Sequence, residues 1–176
     1  MEKSTIKIAL TGPESVGKST LSSYLANYFN TVHTVEFARK YLEDRNNKYT
    51  YKDIIFMAEQ QLALENEMEQ KANDILFCDT DFINFKIWLE YENYKIPNWL
   101  EEHIQSNPYQ LTLLLKPDIP WEKDSLRAFP HKRDFFFDLF KSHLDYYEYD
   151  YKIIDGIGKN RFRKALEAIS NLKSSR

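Results

Sequence analysis

The sequence predicts an α/β fold, in which a parallel sheet of about five strands is covered by helices on both faces. Three observations support this prediction. Five short segments are apolar through most of their length, as strands buried on both faces of a sheet are. Segments with helical periodicity separate them. The chain has 176 residues, enough for one sizeable core, and we expect a single domain over residues 1–176.

The strand candidates are short segments in which β-branched, aliphatic and aromatic residues dominate. They are residues 6–10, 32–35, 74–79, 111–115 and 151–154. The first is followed by Thr11-Gly12-Pro13, a sequence that stops a strand. Because ligands of parallel sheets bind at the carboxyl ends of the strands, the residues that follow each strand are the first candidates for a site.

Apolar spacing predicts the helices between these strands. In the first helix, the residues at i, i+3, i+4, i+7 and i+8 predict one buried face, made of Leu21, Tyr24, Leu25, Tyr28 and Phe29. Thr50, with Asp53 three residues later, resembles a capping box that opens a long helix. Further helices are predicted at about 82–92, 98–105, 136–144 and 162–172.

Composition argues against several classes of protein. The chain carries 24 basic and 27 acidic residues, a net charge of −3, which argues against binding nucleic acid or membranes through bulk charge. The single cysteine, Cys78, cannot form an internal disulfide. The first residues lead into an apolar run that still contains Lys7, so we expect no signal peptide, no membrane anchor and a cytoplasmic location.

Residues 12–19 fit the phosphate-loop pattern G-x-x-x-x-G-K-[ST], and they lie between a predicted strand and a predicted helix. Such a loop turns its backbone N–H groups around a phosphate, and the helix N-terminus attracts the same anion. Lys18 is expected to reach the β- and γ-phosphates, and the Ser19 hydroxyl to bind Mg²⁺. The candidate nucleotide-binding residues are Gly12, Pro13, Glu14, Ser15, Val16, Gly17, Lys18 and Ser19.

Acidic residues follow two of the strands. Asp79 ends an apolar strand, where a carboxylate that organises Mg²⁺ is usual, and Asp81 is expected near the acceptor substrate as base or hydroxyl anchor. The alternative interpretation makes Asp81 a helix N-cap. Glu36 is a second candidate base on the acceptor side, and Arg39 could pair with it or with phosphate. A surface salt bridge is the alternative for that pair.

A basic, proline-containing segment, residues 120–127 followed by His131-Lys132-Arg133, is predicted to form a lid. Arg127 and Arg133 are the candidates for stabilising the charge that develops on a transferring phosphoryl group. A solvated loop without a catalytic role is the alternative. Trp121 of this segment and Trp88 could stack on an aromatic base, although core packing is favoured for Trp88.

Gly156 and Gly158 follow the last strand, in a chain that has only four glycines. They lie at the carboxyl edge of the sheet, and the resemblance of residues 12–19 to the phosphate loop of P-loop kinases implies that the Gly156 backbone lies against adenine. A plain turn into the last helix is an equally good interpretation.

Four blocks of sequence resemble a known family. They are Gly-Pro-Glu-Ser-Val-Gly-Lys-Ser-Thr (12–20), Glu-Phe-Ala-Arg (36–39), Phe-Cys-Asp-Thr-Asp-Phe (77–82) and Pro-Trp-Glu-Lys-Asp-Ser-Leu-Arg (120–127). In this order they resemble the P-loop ATPase/kinase family typified by the ribosylnicotinamide kinase domain of bifunctional NadR-type NAD-biosynthesis proteins. The stretch Asn84-Phe85-Lys86 differs from the hydroxyl-rich residues expected there in bifunctional members.

The resemblance implies a P-loop kinase fold and a magnesium-dependent enzyme that transfers the γ-phosphate of ATP to the 5′-hydroxyl of nicotinamide riboside, giving nicotinamide mononucleotide. It implies a stand-alone kinase domain. It assigns residues to the nucleotide (Lys18, Ser19, Thr20), to metal and ribose (Asp79, Asp81) and to the lid (Asp124, Arg127, Arg133). The expected acceptor-side residues are Glu36, Arg39, Asp81, Trp121 and Asp124.

Two other functions remain open on the sequence. One is a P-loop kinase for another nucleoside-like acceptor. The other is a nucleotide-dependent regulatory ATPase module, which would not need the acceptor-side acids. The sequence also leaves the oligomeric state open.

Overall fold

Five parallel strands form the central sheet of the computed structural model, which describes residues 5–174. The strands are β1 (Ile6–Thr11), β2 (His33–Thr34), β3 (Ile75–Asp79), β4 (Leu111–Leu115) and β5 (Tyr151–Ile154). Their order across the sheet is β2-β3-β1-β4-β5, with Ala9 of β1 aligned with Cys78 of β3. The predicted parallel sheet is confirmed, although β2 is two residues shorter than expected. The expectation that the chain has no signal peptide and no membrane anchor concerns, in part, residues 1–4, which lie outside the described range.

Seven helices lie in the described residues. They are α1 (Lys18–Tyr28), α2 (Phe37–Glu43), α3 (Tyr51–Glu69), α4 (Phe82–Tyr91), α5 (Asn98–Gln105), α6 (Arg133–Tyr146) and α7 (Lys159–Ser174). The capping box that opens α3 is present, since Thr50 accepts a bond from the Asp53 amide and Asp53 accepts one from the Thr50 amide. None of the helices in residues 5–174 has both the length and the apolar character that crossing a membrane requires.

The helices cover both faces of the sheet, as the apolar strands require. On one face, α1 and α7 pack against the side chains of Ile8, Leu10 and Phe77. On the other, helices α2 to α6 pack around Ala9 and Cys78. The alternation of side chains along each strand therefore builds two separate cores, and β1 contributes to both.

The predicted buried face of α1 is wrong for two of its five residues. Tyr24 and Tyr28 are each 62% exposed, and the buried residues of the helix are Leu21, Ser22, Leu25 and Ala26. The buried face is rotated toward Ser22 and Ala26, because small side chains let α1 approach the sheet closely. The two tyrosines lie at the edge of the core, where their rings contact Phe162 of α7 edge-on.

A buried ion pair joins α3 to the first strand. Lys7 Nζ lies 2.9 Å from Glu65 Oε2, and the Tyr109 hydroxyl donates to Glu65 Oε1 over 2.9 Å. The Glu65 side chain is fully buried, and that of Lys7 is only 10% exposed. Each charge therefore depends on the other for the interactions that water would otherwise supply.

Replacing Glu65 with alanine is expected to lower the free energy of unfolding by about 3–5 kcal/mol, because the variant leaves the Lys7 ammonium buried without a partner. Glu67→Ala is the control, since Glu67 is an exposed residue of the same helix that pairs with Lys71, and its effect should stay within about 0.5 kcal/mol. Urea unfolding of both variants measures the difference. Equal stabilities would show that the ion pair adds nothing.

Candidate active site

A cavity of about 340 Å³ opens beside the phosphate loop, residues 12–20, at the carboxyl edge of the sheet. Its lining comes from the phosphate loop, from the start of α2, from one face of α4 and from the lid. Glu36, Arg39 and Arg127 are among the predicted site residues that line it together with the loop. The predicted site residues outside the lining are Asp79, Asp81, Trp121, Asp124, Arg133 and Gly156.

The phosphate loop takes its shape from residues in left-handed conformation. Gly17, at the N-cap of α1, has φ 83° and Ser15 has φ 56°. Gly12 has φ 133°, and a Cβ there would lie 2.8 Å from the carbonyl oxygen of Leu115. Since that contact is shorter than side chains tolerate, only glycine lets the loop pack against β4 as it does.

Lys18 folds back over the loop that precedes it. Its ammonium donates to the carbonyl oxygens of Gly12 and Pro13, over 2.9 Å and 2.7 Å. The charge is therefore held beside the loop, within the cavity lining. Contact of this ammonium with the β- and γ-phosphates stays a prediction.

Ser19 and Asp79 meet across the ends of α1 and β3. The Ser19 hydroxyl donates to Asp79 Oδ2 over 2.5 Å, while the buried Oδ1 atom has no hydrogen-bond partner within residues 5–174. Burial raises the pKa of the Asp79 carboxyl, and the Ser19 hydroxyl and Lys18 oppose that rise. A hydroxyl and a carboxylate with a free oxygen suit Mg²⁺, which commonly takes few protein ligands and completes its shell with phosphate and water.

Glu36 lines the cavity together with the phosphate loop. It follows β2 and occupies the N-cap position of α2, but its side chain makes no capping bond. Burial raises the pKa of the Glu36 carboxyl, and Lys18 opposes this rise. Glu36 is therefore a carboxyl group with increased proton affinity that faces the cavity, as a general base requires.

Asp81 is placed differently from the expected acceptor-side acid. The side chain is fully buried, and its Oδ1 atom accepts a 3.0 Å bond from the Asn84 amide as the N-cap of α4. Thr80 has φ 83°, a turn that delivers Asp81 to the helix end. The structure thus supports the capping interpretation. Burial raises the pKa of the Asp81 carboxyl to about 6.

The lid, residues 117–132, lies against the phosphate loop. Arg127 lines the cavity, and its guanidinium donates to the Glu122 carbonyl over 2.7 Å. Arg39 of α2 forms an ion pair with Asp124, which also accepts a bond from the Leu126 amide. The two residues thus join α2 to the lid, so Asp124 acts there through Arg39.

Arg133 and Trp121 are two predicted site residues that do not line the cavity. Arg133 Nη1 donates to the carbonyl oxygens of Ser15 and Ile119, over 3.1 Å and 3.0 Å. The guanidinium of Arg133 therefore connects the phosphate loop to the lid through these two carbonyl groups. The indole N–H of Trp121 is buried without a hydrogen-bond partner within residues 5–174.

Tyr49, Trp88 and Tyr91 line the cavity and are called here the aromatic wall; the sequence did not predict most of it. Tyr49 and Trp88 meet edge to face with their ring centroids 4.9 Å apart, and the Tyr49 hydroxyl donates to Glu92 over 2.8 Å. Trp88 packs against the hydrophobic core, as was favoured for it, and also lines the cavity. The signal was available, because Asn84, Trp88, Tyr91 and Glu92 follow the i, i+4, i+7, i+8 spacing of one helical face.

A second group missed by sequence reasoning surrounds Gly156. Its amide donates to Asp118, and its carbonyl accepts from Arg161 Nε over 2.8 Å. Arg161 is 5% exposed and also donates to the carbonyls of Val16 and Lys116. With φ 89°, Gly156 forms a turn, and contact of its backbone with adenine stays a prediction.

Comparison with known proteins identifies relatives. A family model described as AAA domain matches residues 7–161. The trifunctional NAD biosynthesis/regulator protein NadR of Salmonella typhimurium (strain LT2) is 32% identical over 128 residues, covering 69% of this chain and 30% of that protein. NadR of Escherichia coli (strain K12) is 32% identical over 126 residues, with the same coverage. The chain therefore spans about a third of the length of these relatives.

Solved structures share the fold. NadR protein in complex with NR gives a TM-score of 0.78 at 20% identity, over 96% of this chain and 50% of that chain. Deoxyadenosine kinase from M. mycoides with bound dATP gives 0.64 at 13% identity, over 94% of this chain and 99% of that one. The predicted P-loop kinase fold is confirmed by these similarities.

The pKa of Asp81 predicts how stability depends on pH. Its folded pKa of about 6 lies above the ordinary aspartate value of 3.8, so the stabilisation is complete below pH 3.8 and is lost as the pH rises through 6. This loss amounts to about 3 kcal/mol. Asp81→Asn should keep the cap, since asparagine caps helices as well as aspartate does, and should lack this loss between pH 4 and pH 8.

Urea unfolding at the two pH values measures this effect. Asp138→Asn, the same change at an exposed position of α6, is the control and should follow the wild type. An unchanged pH dependence in Asp81→Asn would contradict a buried, titrating Asp81.

Proposed function

The chain belongs to the AAA-domain family, and from this premise we propose that it is an ATP-dependent kinase for a small nucleoside. Nicotinamide riboside is the proposed acceptor and nicotinamide mononucleotide the product. The observation that carries the proposal is the single cavity that joins the phosphate loop to an aromatic wall. Phosphate and a planar base need these two environments, and the cavity holds them side by side.

Glu36 is the proposed base. It lines the cavity, whereas Asp81, the other candidate, is buried in the cap of α4. In the proposed reaction the 5′-oxygen of the acceptor forms a bond to the γ-phosphorus of ATP and its proton passes to Glu36. The bond between that phosphorus and the bridging oxygen breaks, and ADP leaves.

Lys18 and Arg127 are the proposed stabilisers of the transferring group. Both line the cavity, and their charges oppose the negative charge that spreads over the phosphoryl oxygens during transfer. Ser19 and Asp79 would hold Mg²⁺, which shields the phosphate charge when bound. The chain's own contribution is to fix these groups on the phosphate loop, on β3 and on the lid.

The aromatic wall supports a nucleoside acceptor. Tyr49, Trp88 and Tyr91 offer ring surfaces on which a base can pack, and Asn84 offers an amide on the same face of α4. The proposal is further supported by NadR in complex with NR, which shares the fold. A cytoplasmic location, where ATP and nucleosides are at hand, belongs to the same proposal.

The test incubates the protein with ATP, Mg²⁺ and a panel of nucleosides that includes nicotinamide riboside, and identifies products by mass. We expect nicotinamide mononucleotide to form, together with one ADP for each product molecule. Lys18→Ala should lower kcat by at least about 100-fold, because one preorganised cation is lost from the transition state. Lys52→Ala, at an exposed position of α3, should leave the rate unchanged.

The panel separates this proposal from the other two functions. Phosphorylation of a different nucleoside alone would keep the kinase and overturn the acceptor. ATP hydrolysis that no nucleoside accelerates would overturn the kinase and favour a regulatory ATPase module.

A further inference from the structure

The carboxylate of Glu14, a residue of the phosphate loop, faces the lid. Its Oε1 atom accepts a 2.6 Å hydrogen bond from the Phe129 amide, and its Oε2 atom accepts a 3.2 Å bond from the Ala128 amide. The two oxygens thus take two successive backbone N–H groups. Hydrogen bonds to an ionised acceptor are about twice as strong as those between neutral groups.

The next loop residue holds the other part of the lid. Ser15 Oγ accepts a 3.0 Å bond from the Glu122 amide. The lid is therefore tied to the phosphate loop on both sides of Arg127, at residue 122 before it and at residues 128–129 after it. Arg127 itself bonds the Glu122 carbonyl, so its guanidinium is oriented by the segment that these bonds fix.

We propose that Glu14 is a positioning residue, whose side chain holds the lid on the phosphate loop and thereby sets Arg127 beside the cavity. A carboxylate at this loop position would repel a bound phosphate if it faced the nucleotide. The two lid amides give the charge another partner. The contact stands on geometry alone, whereas its consequence for catalysis rests on the proposed function.

The two amide donors, of Ala128 and Phe129, explain why a carboxylate suits position 14. A glutamine has one acceptor oxygen, and its NH₂ group would face the second amide N–H. Glu14→Gln therefore keeps the size of the side chain, loses one bond and places two donors opposite each other. The loop fold itself does not depend on this carboxylate, since the Gly12 and Gly17 conformations and the bonds of Lys18 shape it.

Amide hydrogen exchange tests the contact without any substrate. In Glu14→Gln, we expect at least one of the amides of Ala128 and Phe129 to exchange about tenfold faster than in the wild type, because glutamine keeps one acceptor oxygen and leaves the other amide without a partner. Glu59→Gln, which removes the same charge from an exposed position of α3, should leave both amides unchanged. Unchanged exchange at Ala128 and Phe129 in Glu14→Gln would overturn the proposal.

Steady-state kinetics test the consequence. With the acceptor that the panel identifies, Glu14→Gln should lower kcat about tenfold and change the KM for ATP by less than about twofold, since Arg127 acts on the transition state. A raised KM for ATP with unchanged lid exchange would show that the side chain serves the nucleotide, and would overturn the proposal. If no nucleoside is phosphorylated, the proposed function fails, and the exchange result still decides the contact.

Discussion

The backbone of the phosphate loop is the constraint on which the rest of the site depends. Its peptide N–H groups can face an anion only if the carbonyl groups of the loop point away and accept hydrogen bonds from other partners. Three cations do this: Lys18 binds the carbonyls of Gly12 and Pro13, Arg133 that of Ser15, and Arg161 that of Val16. These cations come from α1, α6 and α7, so the loop conformation is fixed by helices on both faces of the sheet.

The loop is also the reference for the proposed acceptor side of the cavity. Ser19 fixes Asp79 at the end of β3, and Glu36 follows β2, the strand beyond it. In the proposed reaction the base is therefore Glu36, since Asp79 is engaged with Ser19 of the loop. The aromatic residues of α4 line the same cavity as Glu36, on the helix that Asp81 caps.

The fold and the loop could be predicted because their signals are local. The apolar runs, the glycine spacing and the capping box of Thr50 and Asp53 are each contained within a few residues. The structure contains the strands, the loop and the cap that they predict. The positions of Tyr24 and Tyr28 could not be predicted, since helical periodicity alone does not say which side approaches the sheet. Arg161 and Glu14 act through backbone groups more than 100 residues away, at Val16 and Phe129. No spacing rule finds such pairs.

The central claim is that this cavity delivers the γ-phosphoryl group of ATP to the 5′-oxygen of nicotinamide riboside. The most direct test is the ³¹P–¹H coupling pattern of the product in NMR, which identifies the oxygen that received the group. We predict coupling of the new phosphorus to the two C5′ protons, because the proposed base Glu36 and Lys18 line the same cavity. Coupling to a ring proton of the ribose, or inorganic phosphate as the sole product, would contradict it.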